Sequence, residues 1–279
     1  MREINDLVRE LRQNRNLSQK SLAQGICSRE ALTKFEQRGT NISAKNLFLI
    51  LDKMNINLEE FEFLLQDGEL PFKQKIYQQG IRCLHDRAAH ERYLAQLAEL
   101  AASTNDEYYQ LLATIFDVNQ VGALPKLSDS SATKHLTNYL NSIDTWGRFE
   151  LSLFINAMSL FPTDYILNTY KMNISKMYAY TKNPHYQDGL LSFFNNAGIT
   201  LIRRHDFVVL AKLLTEYNLL TQNPDYASDR IIYLIFKKVV DAENNFQVLM
   251  IDEELKILNY LGYKELAKSL NSMFTNIFK

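Results

Sequence analysis

Between Leu17 and Glu36 the chain carries residue types that recognise nucleic acid, at the spacing two short helices would need. Arg29 and Lys34 can donate to guanine acceptors, Glu30 can accept from the cytosine amine, and the Thr33 methyl can meet the thymine methyl. Ser28 and Arg38 flank that set. Gln19 falls at the start of the preceding helix, where a side-chain amide and free backbone N–H groups can hold a phosphate. These side chains can read a duplex only from an exposed, rigid helix. Ser18 and Ser28 are good N-caps, and Gly25 with Ile26 breaks the chain between them. Leu17, Leu22, Ala23, Ile26, Leu32 and Phe35 form an apolar set that two steeply crossing helices would bury. The pattern predicts a helix-turn-helix whose second helix enters the major groove of double-stranded promoter or operator DNA.

Charge is distributed to match. The chain of 279 residues has a net charge of −1, yet residues 12–45 hold seven bases (Arg12, Arg15, Lys20, Arg29, Lys34, Arg38, Lys45) against two acids, Glu30 and Glu36. That local +5 leaves −6 for the remainder, so a polyanion is drawn to the N-terminal module.

The elements that would hold these residues can also be read. Ile4, Leu7, Val8 and Leu11 recur at helical spacing, Gly39 ends the third helix, Ser43 opens a fourth, and 58–65 forms a fifth. The run from Gln66 to Pro71 is polar, with Gly68 and Pro71 as breakers. The expected domains are therefore 1–66, a linker at 67–71, and 72–279. The second is a succession of amphipathic helices, including single helices over 146–159 and 245–261. Breaks fall at Phe161-Pro162, Asn183-Pro184, Asn223-Pro224 and Gly262. Only 9 Gly and 5 Pro occur, too few for a turn-rich β architecture. The fold class is all-α: a five-helix helix-turn-helix domain followed by stacked antiparallel helical hairpins with a concave face.

The helical region is rich in Asn and aromatic residues. An Asn amide pairs with a peptide unit through one acceptor and two donors, and aromatic rings supply apolar pocket walls. Asn156 and Asn196 are the first candidates, because each lies among apolar neighbours where an unpaired amide is costly. Asn195 adjoins Asn196 and is a third candidate. Trp146 is expected to pack, and Cys27 to pack rather than react. His85 and His90, five apart, are expected to be solvated and to hold no metal. Neither a phosphate loop nor a nucleophile elbow is present, so the expectation is a protein without catalytic residues or cofactor. No signal peptide or membrane span is read, and Cys27 and Cys83 suit a reducing compartment, so the expected location is the cytoplasm.

Residues 4–60 resemble the phage-repressor-like, XRE-type helix-turn-helix. Its phosphate-contacting Gln matches Gln19, and its recognition-helix positions match Ser28, Arg29, Glu30 and Lys34. Its first-helix Arg, paired with a Glu ending the third helix, matches Arg12 and Glu36, which the resemblance implies form a partly buried pair fixing the first helix on the third. Gln37-Arg38-Gly39 runs one residue longer than the usual ending of that motif. The whole chain resembles the Rgg/GadR/MutR regulators, through this motif, the stretch Asp144-Thr-Trp-Gly-Arg-Phe-Glu150, and the helix end Leu255-Lys-Ile-Leu-Asn-Tyr-Leu-Gly262. The two resemblances imply a lambda-repressor-like N-terminal domain and tetratricopeptide-like helical-hairpin repeats after it, in a homodimer that binds DNA and responds to a short signalling peptide, with RNA polymerase as a further candidate partner. The second also implies that Asn156, Asn196, Tyr226 and Arg230 contact the peptide. Some members carry an Arg near Asn156, where this chain has Ala157, Met158 and Ser159. The alternative expectation is a DNA-binding regulator whose helical domain binds a protein or a non-peptide ligand.

Overall fold

A computed structural model describes residues 2–84, 86–119, 131–181 and 188–278. Among these, every regular element is helical. The chain divides into two units, Met1–Arg82 and Cys83–Lys279.

Local chemistry sets the helices of the first unit. α1 (Ile4–Asn14) turns Leu7, Val8 and Leu11 inward, while Ile4 stays partly exposed at its start. α2 (Gln19–Ala23), α3 (Arg29–Arg38) and α4 (Ala44–Lys53) each begin at a serine whose hydroxyl accepts a backbone N–H: Ser18 from Ser21, Ser28 from Ala31, Ser43 from Asn46. Such a cap contributes about 1 kcal/mol. Gly39 ends α3 with φ at 62°, a left-handed conformation that costs glycine little. Asn57 caps α5 (Leu58–Leu65), and Phe61 fastens it to the core. Asp67 and Gly68, with φ at 56° and 80°, then turn the chain into α6 (Phe72–Cys83). The 67–71 segment is thus a tight turn inside the first unit. Leu22, Leu32, Ile50 and Leu51 join the α1 residues in a single core, against which Leu17, Ile26 and Cys27 pack.

The second unit stacks helices in two layers. α7 (Arg87–Thr104) and α8 (Glu107–Val118) form an antiparallel hairpin, and α9 (Ser131–Ser142) packs on α8. α10 (Arg148–Asn156), α11 (Thr163–Thr181), α12 (Asp188–Arg203), α13 (Phe207–Leu220) and α14 (Ala227–Ala242) continue the stack. α8, α10, α12 and α14 touch in series as one layer, with α11 and α13 packed against it. α15 (Asp252–Tyr260) and α16 (Lys264–Ile277) close the unit. Its core is strongly aromatic: Phe194 stacks on Tyr217 with centroids 5.0 Å apart, and Tyr170 stacks on Phe193 at 4.5 Å.

Three expectations require correction. The helix expected over 146–159 stops at Asn156, and a 3₁₀ turn follows at Met158–Leu160. The helix expected over 245–261 begins only at Asp252: Phe246 is buried against Phe274 and Phe278, and 3₁₀ turns at Glu243–Asn245 and Val248–Ile251 lie on either side of it. His90 is not solvated. It is 1% exposed, in register with Tyr93, Leu97 and Ala101 on the buried stripe of α7, and neither ring nitrogen has a hydrogen-bond partner among the described residues. The companion calls on His85 and on Asn183-Pro184 lie outside the described residues. Trp146 packs as expected, with its indole N–H donating to Leu140 O at 2.9 Å.

Candidate DNA-binding and ligand-binding sites

The helix-turn-helix is organised around a buried carboxylate. Glu36 is 1% exposed, and its two oxygens accept from Arg12 Nε at 2.7 Å and Arg12 Nη2 at 2.8 Å, a bidentate pair joining α1 to α3. The hydrogen bond to Glu36 raises the Arg12 pKa, outweighing the opposing effect of burial. Arg12 also donates to Leu17 O at 2.8 Å, which holds the chain entering α2.

Gln19 is the third member. Its Nε2 donates to Glu36 Oε2 at 2.8 Å, and its Oε1 lies 2.9 Å from the Thr33 hydroxyl. That hydroxyl is also 2.9 Å from Arg29 O. Sequence reasoning placed Gln19 against phosphate and Thr33 against a base; the structure links both side chains to the Arg12–Glu36 pair. The Ser28 oxygen is used as the α3 cap. Arg29, Glu30, Lys34 and Arg38 remain exposed on α3, with no ion pair among the described residues. Cys27 is half-buried, and burial raises its pKa, which disfavours the reactive thiolate.

The expected ligand residues share one layer of the second unit. Asn156 ends α10, Asn195 and Asn196 lie on α12, and Tyr226 and Arg230 open α14. Asn196 Nδ2 donates to Ile155 O at 2.9 Å, and Asn119 Nδ2, from the end of α8, donates to Asn156 O at 2.7 Å. These amides satisfy the carbonyls freed where α10 terminates. Asn156 Nδ2 turns back to Ser152 O at 2.8 Å. Asn195 is engaged on both sides, accepting from Tyr217 Oη at 2.5 Å and donating to Asp229 Oδ1 at 2.8 Å. Burial, followed by the Asp229 charge, pushes the Tyr217 pKa well above its ordinary value. Arg230 Nη1 donates to Asn218 Oδ1 at 2.6 Å, with its guanidinium 4.6 Å above the Tyr233 ring. Asn119, Tyr217 and Asp229 complete this polar layer. Nothing local in the sequence marks them, since each acts across helices.

A separate cleft of about 340 Å³ opens between α7, α8 and α9, lined by Leu94, Leu97, Ala98, Tyr109, Ala113 and Thr114 among others. None of the amides above lines it.

A capped helix-turn-helix displaying two arginines and a lysine on its second helix, followed by a two-layer helical stack, is the build of a DNA-binding transcription regulator. A family model described as the C-terminal domain of the helix-turn-helix-type transcriptional regulator Rgg matches residues 87–272, and a helix-turn-helix model matches residues 8–61. The chain belongs to the Rgg family of transcriptional regulators. Solved structures agree at the level of fold. A chain from Listeria monocytogenes EGD-e, provisionally assigned as a transcriptional regulator, superposes with a TM-score of 0.82 at 16% identity, covering 99% of this chain and 97% of that one. The SHP pheromone receptor Rgg2 of Streptococcus dysgalactiae gives 0.72 at 19% identity, covering 98% and 99%. ComR from S. thermophilus, solved in complex with DNA and its signalling peptide ComS, gives 0.57 at 11% identity, covering 98% and 99%. No helix among the described residues is long and apolar enough to cross a membrane.

Proposed function

We propose that this chain is a cytoplasmic, homodimeric regulator that reads DNA with α3 and binds a short signalling peptide on its α10–α12–α14 layer. The observation that carries the DNA half is the exposure of Arg29, Glu30, Lys34 and Arg38 on a helix locked from behind by Arg12, Glu36 and Gln19. Arg29, Glu30 and Lys34 read base edges; Arg38, the Ser28 cap and the remaining N–H of Gln19 Nε2 hold the backbone. Two copies placed by their C-terminal units present α3 helices about 34 Å apart, one helical turn of DNA.

The peptide half is supported by the row of amides on one layer, with Tyr226 and Arg230 at its end, and by similarity to an Rgg2 pheromone receptor and to a ComR that binds a signalling peptide. Asn156 and Asn196 keep their Oδ1 acceptors available to peptide N–H groups. The test is genome-wide occupancy with and without candidate short peptides. Wild type should change occupancy with one peptide class, and Asn196→Ala should lose that change while still binding DNA. An Asn196→Ala protein that responds normally removes this position from the ligand site.

The apolar cleft between α7, α8 and α9 favours a second reading, a small non-peptide effector. In that case Ala113→Phe, which fills the cleft, abolishes the response and Asn196→Ala does not.

A further inference from the structure

The cleft between α7, α8 and α9 exists because small side chains meet there. Ala98 and Ala101 of α7, Ala113 of α8 and Ala132 of α9 leave about 340 Å³ unfilled, with Leu94 and Leu97 completing the α7 wall. Protein interiors close gaps of this size with larger side chains. A space of that volume is instead typical of small-molecule sites.

Helix register sets its shape. Leu94, Leu97, Ala98 and Ala101 follow one ridge of α7, and Gln110, Ala113, Thr114 and Asp117 one ridge of α8. Seven residues of helix span about 10 Å, so the cleft is about two turns long. α7 and α8 run antiparallel, which places Asp117 at the Leu94 end and Gln110 at the Ala101 end.

The charge at the Asp117 end is unanswered. Asp117 is exposed and has neither a hydrogen bond nor an ion pair among the described residues. It is also the charged member of the lining: Arg92 and Glu99 of α7 and Lys134 of α9 lie outside it. Arg87 is paired with Glu91 at 3.0 Å, and Glu107 lies 3.2 Å from His135. Asp117 sits in the last turn of α8, which holds no base, so its carboxylate adds to the negative end of the helix dipole. The wall hydroxyl of Thr114 is already used, donating to Gln110 O at 3.1 Å. An apolar body with one uncompensated negative end attracts a cation and repels a carboxylate.

We propose that this cleft takes a small apolar monocation, an aryl- or alkylammonium, with its ammonium on the Asp117 carboxylate and its apolar part among the alanines. The inference rests on the effector reading of the cleft given above and names the ligand class. The amides of the α10–α12–α14 layer take no part in it.

The test is isothermal titration calorimetry of the full chain with three probes of similar size, phenethylammonium, phenethyl alcohol and phenylacetate, with circular dichroism to verify folding of each variant. Wild type should bind phenethylammonium, bind the alcohol about 5-fold more weakly, and bind phenylacetate not at all. Asp117→Asn should bring phenethylammonium down to the alcohol's affinity and leave the alcohol unchanged. Ala98→Phe, an exposed position of the wall, should abolish binding of both. Equal affinities for the ammonium and the alcohol, or an Asp117→Asn variant that binds phenethylammonium as wild type does, overturn the ligand class and leave the cleft as an effector site. Binding that survives Ala98→Phe overturns the site. Should Ala98→Phe fail to fold, Ala98→Leu takes its place with the same two outcomes. Absence of binding by all three probes overturns this proposal, whereas the transcriptional response of Ala113→Phe decides the effector reading separately.

Discussion

Glu36 bears three hydrogen bonds from two residues, Arg12 and Gln19, at a position nearly closed to water. Removing one partner of such a pair leaves the other charge buried and unpaired, at a cost of about 3–5 kcal/mol. Glu36→Ala should therefore lower the urea midpoint of the first unit steeply, and Glu36→Gln should lower it less, because an amide oxygen still accepts from Arg12. Lys34→Ala, on the exposed side of α3, should stay within about 0.5 kcal/mol of wild type. Equal losses in the two alanine variants would mean that the pair does not hold the helix. The Arg12–Glu36 pair could be anticipated from the resemblance to the XRE-type helix-turn-helix. Gln19 as its third member could not, because its bond to Glu36 depends on how α2 crosses α3 rather than on neighbours in the chain. The same holds for Asn196, whose bond to Ile155 O spans two helices.

Helix starts were readable wherever a short polar side chain answers to backbone N–H groups three residues on. Ser18, Ser28 and Ser43 all cap, and Gly39 stops α3. Helix interruptions were less readable. Apolar periodicity runs through 245–261 as if one helix lay there, but burial of Phe246 among Phe274 and Phe278 overrides it. A close approach between helices is likewise set by tertiary packing. A Cβ on Gly198 of α12 would lie 2.2 Å from Phe236 Cε2 of α14, and that ring is fully buried and cannot swing into solvent. Gly198→Ala should gain about 1 kcal/mol of helix propensity yet lose more through overpacking, for a net destabilisation of about 1–2 kcal/mol. A thermal melt checks this. A raised melting temperature would show that α12 and α14 are not in contact at this point.

Taken as a whole, the chain separates its tasks by charge and by composition. A basic stretch of +5 sits within the first unit, and the rest of the chain sums to −6, so DNA attraction is confined to one end. That division follows from where the charges fall along the chain, and the all-helical class from apolar periodicity together with the low Gly and Pro content. Which face of the second unit meets a ligand does not, because it depends on which helices share a layer. The Rgg family assignment, by contrast, rests on long stretches of chain rather than on any single motif. The central claim is that α3 reads base sequence, and in-vitro selection from a random duplex library at physiological salt tests it directly, with wild type and Lys34→Ala run side by side. Wild type should enrich a symmetric site with half-sites about one DNA turn apart, and Lys34→Ala should relax the preference at one position in each half while retaining random-DNA affinity. Recovery of no common sequence by wild type, or the same sequence with unchanged preference by both proteins, would contradict the account.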